Sequence, residues 1–238
     1  MDYILLILVG IGAGFVQRVS GFGLGIFAML FMPHFLPSAT AAASISCLFS
    51  CGTSTYNAIR YRKDIPFRTV LPLMIAAMIA IPVAVYFSAK VSQGFFEILL
   101  GIILIVISLW FLFFDQKIRI RPTIPNGLLA GALGGTLNGL FSTGGPPVVL
   151  YLSQAATNPA TYFAGIQFYF CITNIYATIM RAINGLVTWE LLLLAAVGMV
   201  GCMTGDFIGK KVFDKLDGNR LKKVIYIGMI LSGILMVL

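Results

Sequence analysis

Charge is what this sequence has least of. Eight acidic and 16 basic residues make up only 10% of its 238 positions, where ordinary globular domains carry roughly 25%. No polar stretch is long enough to fold as a soluble domain, and the mean hydropathy is +0.98. Histidine is almost absent, with His34 alone between Pro33 and Pro37, an interfacial position near a segment end. Cys47, Cys51, Cys171 and Cys202 lie inside apolar runs and form no C-x-x-C; Cys47 and Cys51 share helical i, i+4 spacing. This excludes a zinc or thioredoxin-type motif and leaves thiols packed among helices. With no metal-ligand cluster, no metal site and no cofactor are expected.

Hydrophobic residues fill the space, at 59%. The chain reads as one all-α polytopic membrane domain over residues 1–238. Residues 1–15 are apolar but lack a basic n-region and an A-x-A site, so a retained first segment is expected rather than a removed signal peptide. The net charge of +8 reads as topological, since Lys and Arg accumulate in cytoplasmic loops. No nucleic-acid partner is expected; the partner is membrane lipid.

A span needs about 20 apolar residues. Breaks at charges and prolines leave eight hydrophobic segments, near 3–36, 39–59, 66–88, 92–114, 124–156, 160–180, 187–208 and 221–238. The first and fifth are too long for one span and too short for two, and each is interrupted by glycines near its middle. If all eight cross, the basic loops divide almost evenly between the two sides. If segment five enters and leaves on one face, Arg60, Arg62, Lys63, Arg68, Lys117, Arg119, Arg121, Lys210, Lys211, Lys215, Arg220, Lys222 and Lys223 share the cytoplasmic side, with Lys90 and Arg181 outside. That is the asymmetry the positive-inside rule expects. Segment five is therefore a re-entrant hairpin.

An internal repeat extends this to segment one. A shift of 121 residues superposes Gly10 on Gly131, Gly14 on Gly135, Gly23 on Gly144, Arg60 on Arg181, Lys90 on Lys211, and the amide of Gln17 on that of Asn138. Each half, 1–115 and 122–238, is then a broken-helix hairpin followed by three transmembrane helices. Three crossings invert the second half relative to the first, as in many secondary transporters. Both termini lie outside.

In lipid every backbone polar group must be paired within the protein. A run such as Asn138-Gly-Leu-Phe-Ser-Thr-Gly-Gly-Pro-Pro147 breaks that rule on purpose. From Tyr3 to Gln17 a helix rises roughly 22 Å, so the polar tips of the two hairpins should meet near the midplane. Pro146 and Pro147 suit the first turn of a new helix, whose free N–H groups and dipole favour an anion. The candidate site is Gln17, Arg18, Ser20, Gly21, Phe22 and Gly23 from the first tip, with Asn138, Ser142, Thr143, Gly144 and Gly145 from the second. Arg18 is the one charge placed deep in the membrane, where such residues are commonly functional. Gly10, Gly14, Gly131 and Gly135 read instead as close-packing positions between helices. The acidic residues, Asp206 among them, fall at segment ends or in loops, so no buried carboxylate relay is evident.

Gly135-Thr-Leu-Asn-Gly139-Leu-Phe-Ser-Thr-Gly144-Gly145-Pro146 resembles the G-x-x-x-G-x-x-G-x-G-G-P signature of the TauE/SafE sulfite-exporter family, also called TSUP. Residues 14–25 resemble its weaker first copy, and the likeness covers essentially the whole chain. Three positions depart: Ser142 replaces a usual glycine, Arg18 stands where the first copy often has glycine, and Leu24 interrupts its Gly-Gly. The resemblance implies transport of sulfite, sulfonates such as sulfoacetate, or related organosulfur anions across a bacterial inner membrane, by alternating access around the tip site. A coupling ion, proton or sodium, and a homodimer are compatible with it. A passive anion channel with the same site is the alternative. An intramembrane protease is excluded by the residues: Arg18-Val-Ser20-Gly21 lacks the first glycine of a G-x-S-G turn, and Thr204-Gly205-Asp206 has no second membrane aspartate. No enzyme is expected.

Overall fold

A computed structural model describes residues 3–114 and 121–212, together with Ile230, Ile234, Met236 and Val237. The segment expected over 221–238 lies outside the described residues apart from those four positions. Every regular element described is helical: α1 (Tyr3–Ser20), α2 (Leu24–Phe31), α3 (Ala39–Arg60), α4 (Phe67–Lys90), α5 (Gln93–Phe114), α6 (Ile124–Phe141), α7 (Gly145–Ala155), α8 (Pro159–Ile183) and α9 (Trp189–Val212). The two overlong segments both break at the expected glycines, into α1/α2 and α6/α7.

Local chemistry accounts for these boundaries. Ser38 caps α3 by accepting from the Ala41 N–H (3.1 Å), and Asn158 caps α8 by accepting from the Thr161 N–H (2.9 Å), each satisfying a donor that the helix start leaves free. Pro125, Pro146 and Pro159 sit in the first turns of α6, α7 and α8, where a missing N–H costs nothing.

Among the described residues five helices are long and apolar enough to cross a membrane: α1, α4, α5, α8 and α9. α3 has the length without the apolarity, because it carries Ser44, Ser46, Ser50, Thr53, Ser54 and Asn57, all buried in the bundle. It is the polar spine of the interior. α1 is longer than the sequence suggests, its 18 residues rising about 27 Å.

Small residues set the packing. Gly10 and Gly14 lie against the backbone of Gly198 and Cys202, while Gly201 and Gly205 lie against Ile7 and Ile11. α1 and α9 therefore run parallel at close range. Gly131 and Gly135 lie in the same way against Leu73 and Ala77, so α6 runs parallel to α4. Without a hydrophobic drive between helices in lipid, such close approach is what holds them together. α3 and α8 cross antiparallel at the centre, with Ser50 bonded to Asn174 and Thr55 beside Cys171.

The two hairpin tips do not meet end to end. On α3, the first tip is held at Thr53 through Gln17, while the second is reached at Ser44 through Arg181. Nine residues of helix, about 13 Å, separate those levels, so the tips run past each other. Gly25, at the start of α2, lies so close to the Ser142 carbonyl that a Cβ there would collide with it, and Gly145 abuts the Phe22 ring.

Candidate functional site

The first break follows from Gly21 and Gly23, with φ of 80° and 97°, values that glycine adopts freely and other residues avoid. Ser20 is spent on the turn itself, its hydroxyl bonded to the Val16 and Phe22 carbonyls. The Gly21 carbonyl accepts from Gln167 Nε2 (2.8 Å). Gln167 Oε1 accepts from Gln17 Nε2 (3.0 Å), and Gln17 Oε1 accepts from Thr53 (2.9 Å). α2 then starts at Leu24 with no side-chain cap.

The second break is built differently. α6 ends at Ser142, a left-handed serine with φ 59°, whose N–H returns to the Asn138 carbonyl at 2.9 Å. α7 starts at Gly145, again with no side-chain cap. Asn138 Nδ2, Ser142 Oγ and Thr143 Oγ1 are buried without a nitrogen or oxygen partner, and Ser142 has only the Cys47 thiol beside it. The first tip is internally satisfied, whereas the second is left open.

The starts of α2 and α7 face one small cavity, lined by Gln17, Phe22, Gly23, Gly25, Ser50, Ser142, Thr143, Gly145 and Phe170, among others. It holds about 10 Å³ of water-accessible space, scarcely room for one water. This is a closed arrangement. Of the residues expected at the site, Gln17, Phe22, Gly23, Ser142, Thr143 and Gly145 line it. Ser20 and Gly21 build the first turn beside it, Asn138 lies one turn before Ser142, and Gly144 packs on the Gly134 carbonyl.

Arg18 is elsewhere. Its guanidinium points away from the cavity, donating to Asn57 Oδ1 (3.0 Å) and the Tyr61 hydroxyl (2.7 Å) and lying 4.9 Å from the Phe163 ring centre. Asn57 in turn donates to Asp206 Oδ1 (3.1 Å). Asp206 is only 6% exposed, inside α9, which runs past the segment end expected at 208 to Val212. The pair share Asn57 rather than touching, near the last turn of α3.

The charge that does lie deep is Arg181, which the loop count places outside. It is fully buried within α8 and donates through Nη2 to the Gly139 (2.8 Å) and Leu140 (2.9 Å) carbonyls. Those are the last carbonyls of α6, where a cation complements the negative helix end. A longer contact of 3.4 Å reaches Ser44 Oγ, and Nε has no partner. Sequence reasoning missed Arg181, Gln167, Ser50 and Phe170. Only Arg181 leaves a trace: Asn184-Gly185 after Ile183 is a helix-ending pair that puts Arg181 inside the last turn.

No group of three His, Cys, Asp or Glu residues that could hold a metal occurs among the described residues. The sequence model of the family described as "Sulfite exporter TauE/SafE" matches residues 6–236. One relative, the "Probable sulfite/organosulfonate exporter TauE" of Cupriavidus necator, is 25% identical over 208 residues, covering 84% of this chain and 80% of the relative. No solved structure matches the chain. A family match running almost end to end over a helical bundle with two broken hairpins leaves one assignment: the chain belongs to the sulfite exporter TauE/SafE family.

Proposed function

We propose that this protein carries small sulfur-containing anions, sulfite or sulfonates such as sulfoacetate, across a bacterial inner membrane by alternating access. The anion binds where the two broken hairpins overlap. The observation that supports this best is the second tip, where three buried polar groups have no nitrogen or oxygen partner beside the uncapped starts of α2 and α7. An unmade buried hydrogen bond costs about 1–3 kcal/mol, and water is not at hand in lipid. Such groups persist where a ligand completes them. Sulfite and sulfonate oxygens accept hydrogen bonds from every one of these donors and suit positive helix ends. Gln17, Phe22, Gly23, Ser142, Thr143, Gly144 and Gly145 form the binding set, with Asn138 as a further amide donor.

The architecture in this account is an inverted repeat. Under the 121-residue shift α1 corresponds to α6 and α9 to α4, and the parallel pair α1 with α9 has its counterpart in α6 with α4. Each hairpin thus packs on a span of the other half. With both termini outside, α1 enters from the outer face and α6 from the cytoplasmic one. The tight contact of Gly25 with Ser142 favours a gated carrier over an open pore.

The test is flux in proteoliposomes over sulfite, thiosulfate, sulfoacetate, taurine and sulfate, with and without proton and sodium gradients. Saturable flux of at least one sulfur oxyanion is expected. Flux through the whole panel at rates linear in concentration would support a channel, and none at all would refute the assignment.

A further inference from the structure

We infer that Arg181 supplies the positive charge for the bound anion at the second hairpin tip, pairing its guanidinium with a sulfite or sulfonate group held by Asn138, Ser142 and Thr143. This rests on the anion-transport function proposed above and adds to it the cation that the first tip does not provide, since Arg18 faces away.

Burial without a counter-charge is the first reason. Arg181 has no exposed surface, and among the described residues it forms no ion pair. A buried charge without an opposite charge or full hydrogen bonding is expensive. Two carbonyls at the end of α6 offset part of that cost, and a long serine contact and the Cys47 thiol a little more. One N–H of the fork, Nε, is still unmatched. The guanidinium is under-satisfied in the closed state.

Its neighbours are the second reason. The carbonyls it grips belong to Gly139 and Leu140, inside the same turn that carries Asn138, Ser142 and Thr143 with their own unpartnered atoms. The Cys47 thiol is within weak hydrogen-bonding reach of both Arg181 and Ser142, a soft partner that an oxyanion would replace. Four side chains around one turn thus have donors to spare, and one of them is a fixed cation. An oxyanion with several acceptor oxygens satisfies them together, and a guanidinium offers a planar fork that matches two of those oxygens. The grip on α6 also makes the anion felt by the gate. When the guanidinium turns toward a substrate, the end of α6 loses its cap, and the tip that closes on Gly25 is loosened.

A helix cap with no role toward the anion is the competing explanation, and affinity separates the two. Arg181→Gln and Arg181→Lys would be reconstituted and compared with wild type for concentration-dependent sulfite and sulfoacetate flux and for melting in detergent. Arg181→Gln should raise the half-saturation concentration by about tenfold or more, since a charge-assisted pair is lost. Arg181→Lys, which keeps the charge but not the fork, should fall between. If wild type transports and Arg181→Gln keeps its half-saturation while losing only stability or maximal rate, Arg181 is a cap and the inference is wrong. If wild type transports nothing in the panel, the functional assignment has failed first. Should neither variant fold, Ser142→Cys in a background without the native cysteines, with Arg181 intact, gives a second reading. Anionic thiosulfonate reagents should modify it faster than cationic ones, and sulfoacetate should protect it. Equal rates, a cationic preference, or no modification would overturn the inference.

Discussion

Replacing Ser142 by glycine should make the protein more stable and a poorer transporter. Ser142 is the one non-glycine residue with positive φ among those described (59°), in the left-handed region that costs an L-residue about 1–2 kcal/mol. Its hydroxyl is buried with only a thiol beside it, which adds at most about 1–3 kcal/mol. Glycine removes both penalties, while its greater freedom in the unfolded chain takes back about 0.4–1 kcal/mol. The balance favours Ser142→Gly by about 1 kcal/mol or somewhat more. The same change deletes a donor from the proposed anion site. A hydrogen bond to a charged ligand contributes about 1.5–3 kcal/mol, so the half-saturation concentration should rise about tenfold or more. Melting of purified protein in detergent, beside sulfite or sulfoacetate flux in proteoliposomes, reads both quantities. A less stable Ser142→Gly refutes the strain argument, and unchanged half-saturation refutes the contact with the anion. Ser142→Ala serves as control, losing the hydroxyl while keeping the strained backbone.

The remaining predictions concern the two breaks and the network beside them. Gly25→Ala places a methyl against the Ser142 carbonyl and should abolish flux at a stability cost of about 1–3 kcal/mol; normal flux would show that the tips never close this tightly. Changing Pro146 and Pro147 together to alanine should let the helix run on through the break, so flux falls sharply while membrane insertion, followed by fractionation, is unchanged. Arg18→Ala removes the bonds to Asn57 and Tyr61 and should lower stability by about 1–2 kcal/mol, with half-saturation altered less than in Ser142→Gly; a larger effect on half-saturation would return Arg18 to the anion site.

Covalent chemistry made the breaks legible. Adjacent prolines and clustered glycines in an apolar run have no place inside a helix, so the interruptions could be placed within 18–25 and 138–147 without coordinates. What could not be read is how far the tips travel and which way long side chains turn. The overlap of the tips depends on α1 lying on α9 and α6 on α4; the glycines at 10, 14, 131 and 135 mark those faces as packing positions but not which helix they meet. Arg18 and Arg181 then exchange the roles their positions suggest. Arg18 turns to Asn57, Tyr61 and Phe163 because α3 and α8 offer partners there, and Arg181, two residues before the end of α8, turns inward to the end of α6. Removing Arg181 from the loops leaves Lys90 as the one basic residue expected outside. Gln167 gave no signal at all, since a lone amide in an apolar run is as easily a surface residue as a partner of Gln17.

A gated site between the two hairpins is proposed to carry a sulfur oxyanion from one face to the other. Counterflow tests it most directly. Proteoliposomes containing the purified protein would be preloaded with unlabelled sulfite or sulfoacetate and diluted into a trace of the same radiolabelled anion. Alternating access predicts that preloading accelerates uptake to a transient overshoot, saturating with the internal anion concentration and absent from liposomes carrying Gly25→Ala. Uptake that ignores the internal anion and rises linearly with the external one would contradict the account.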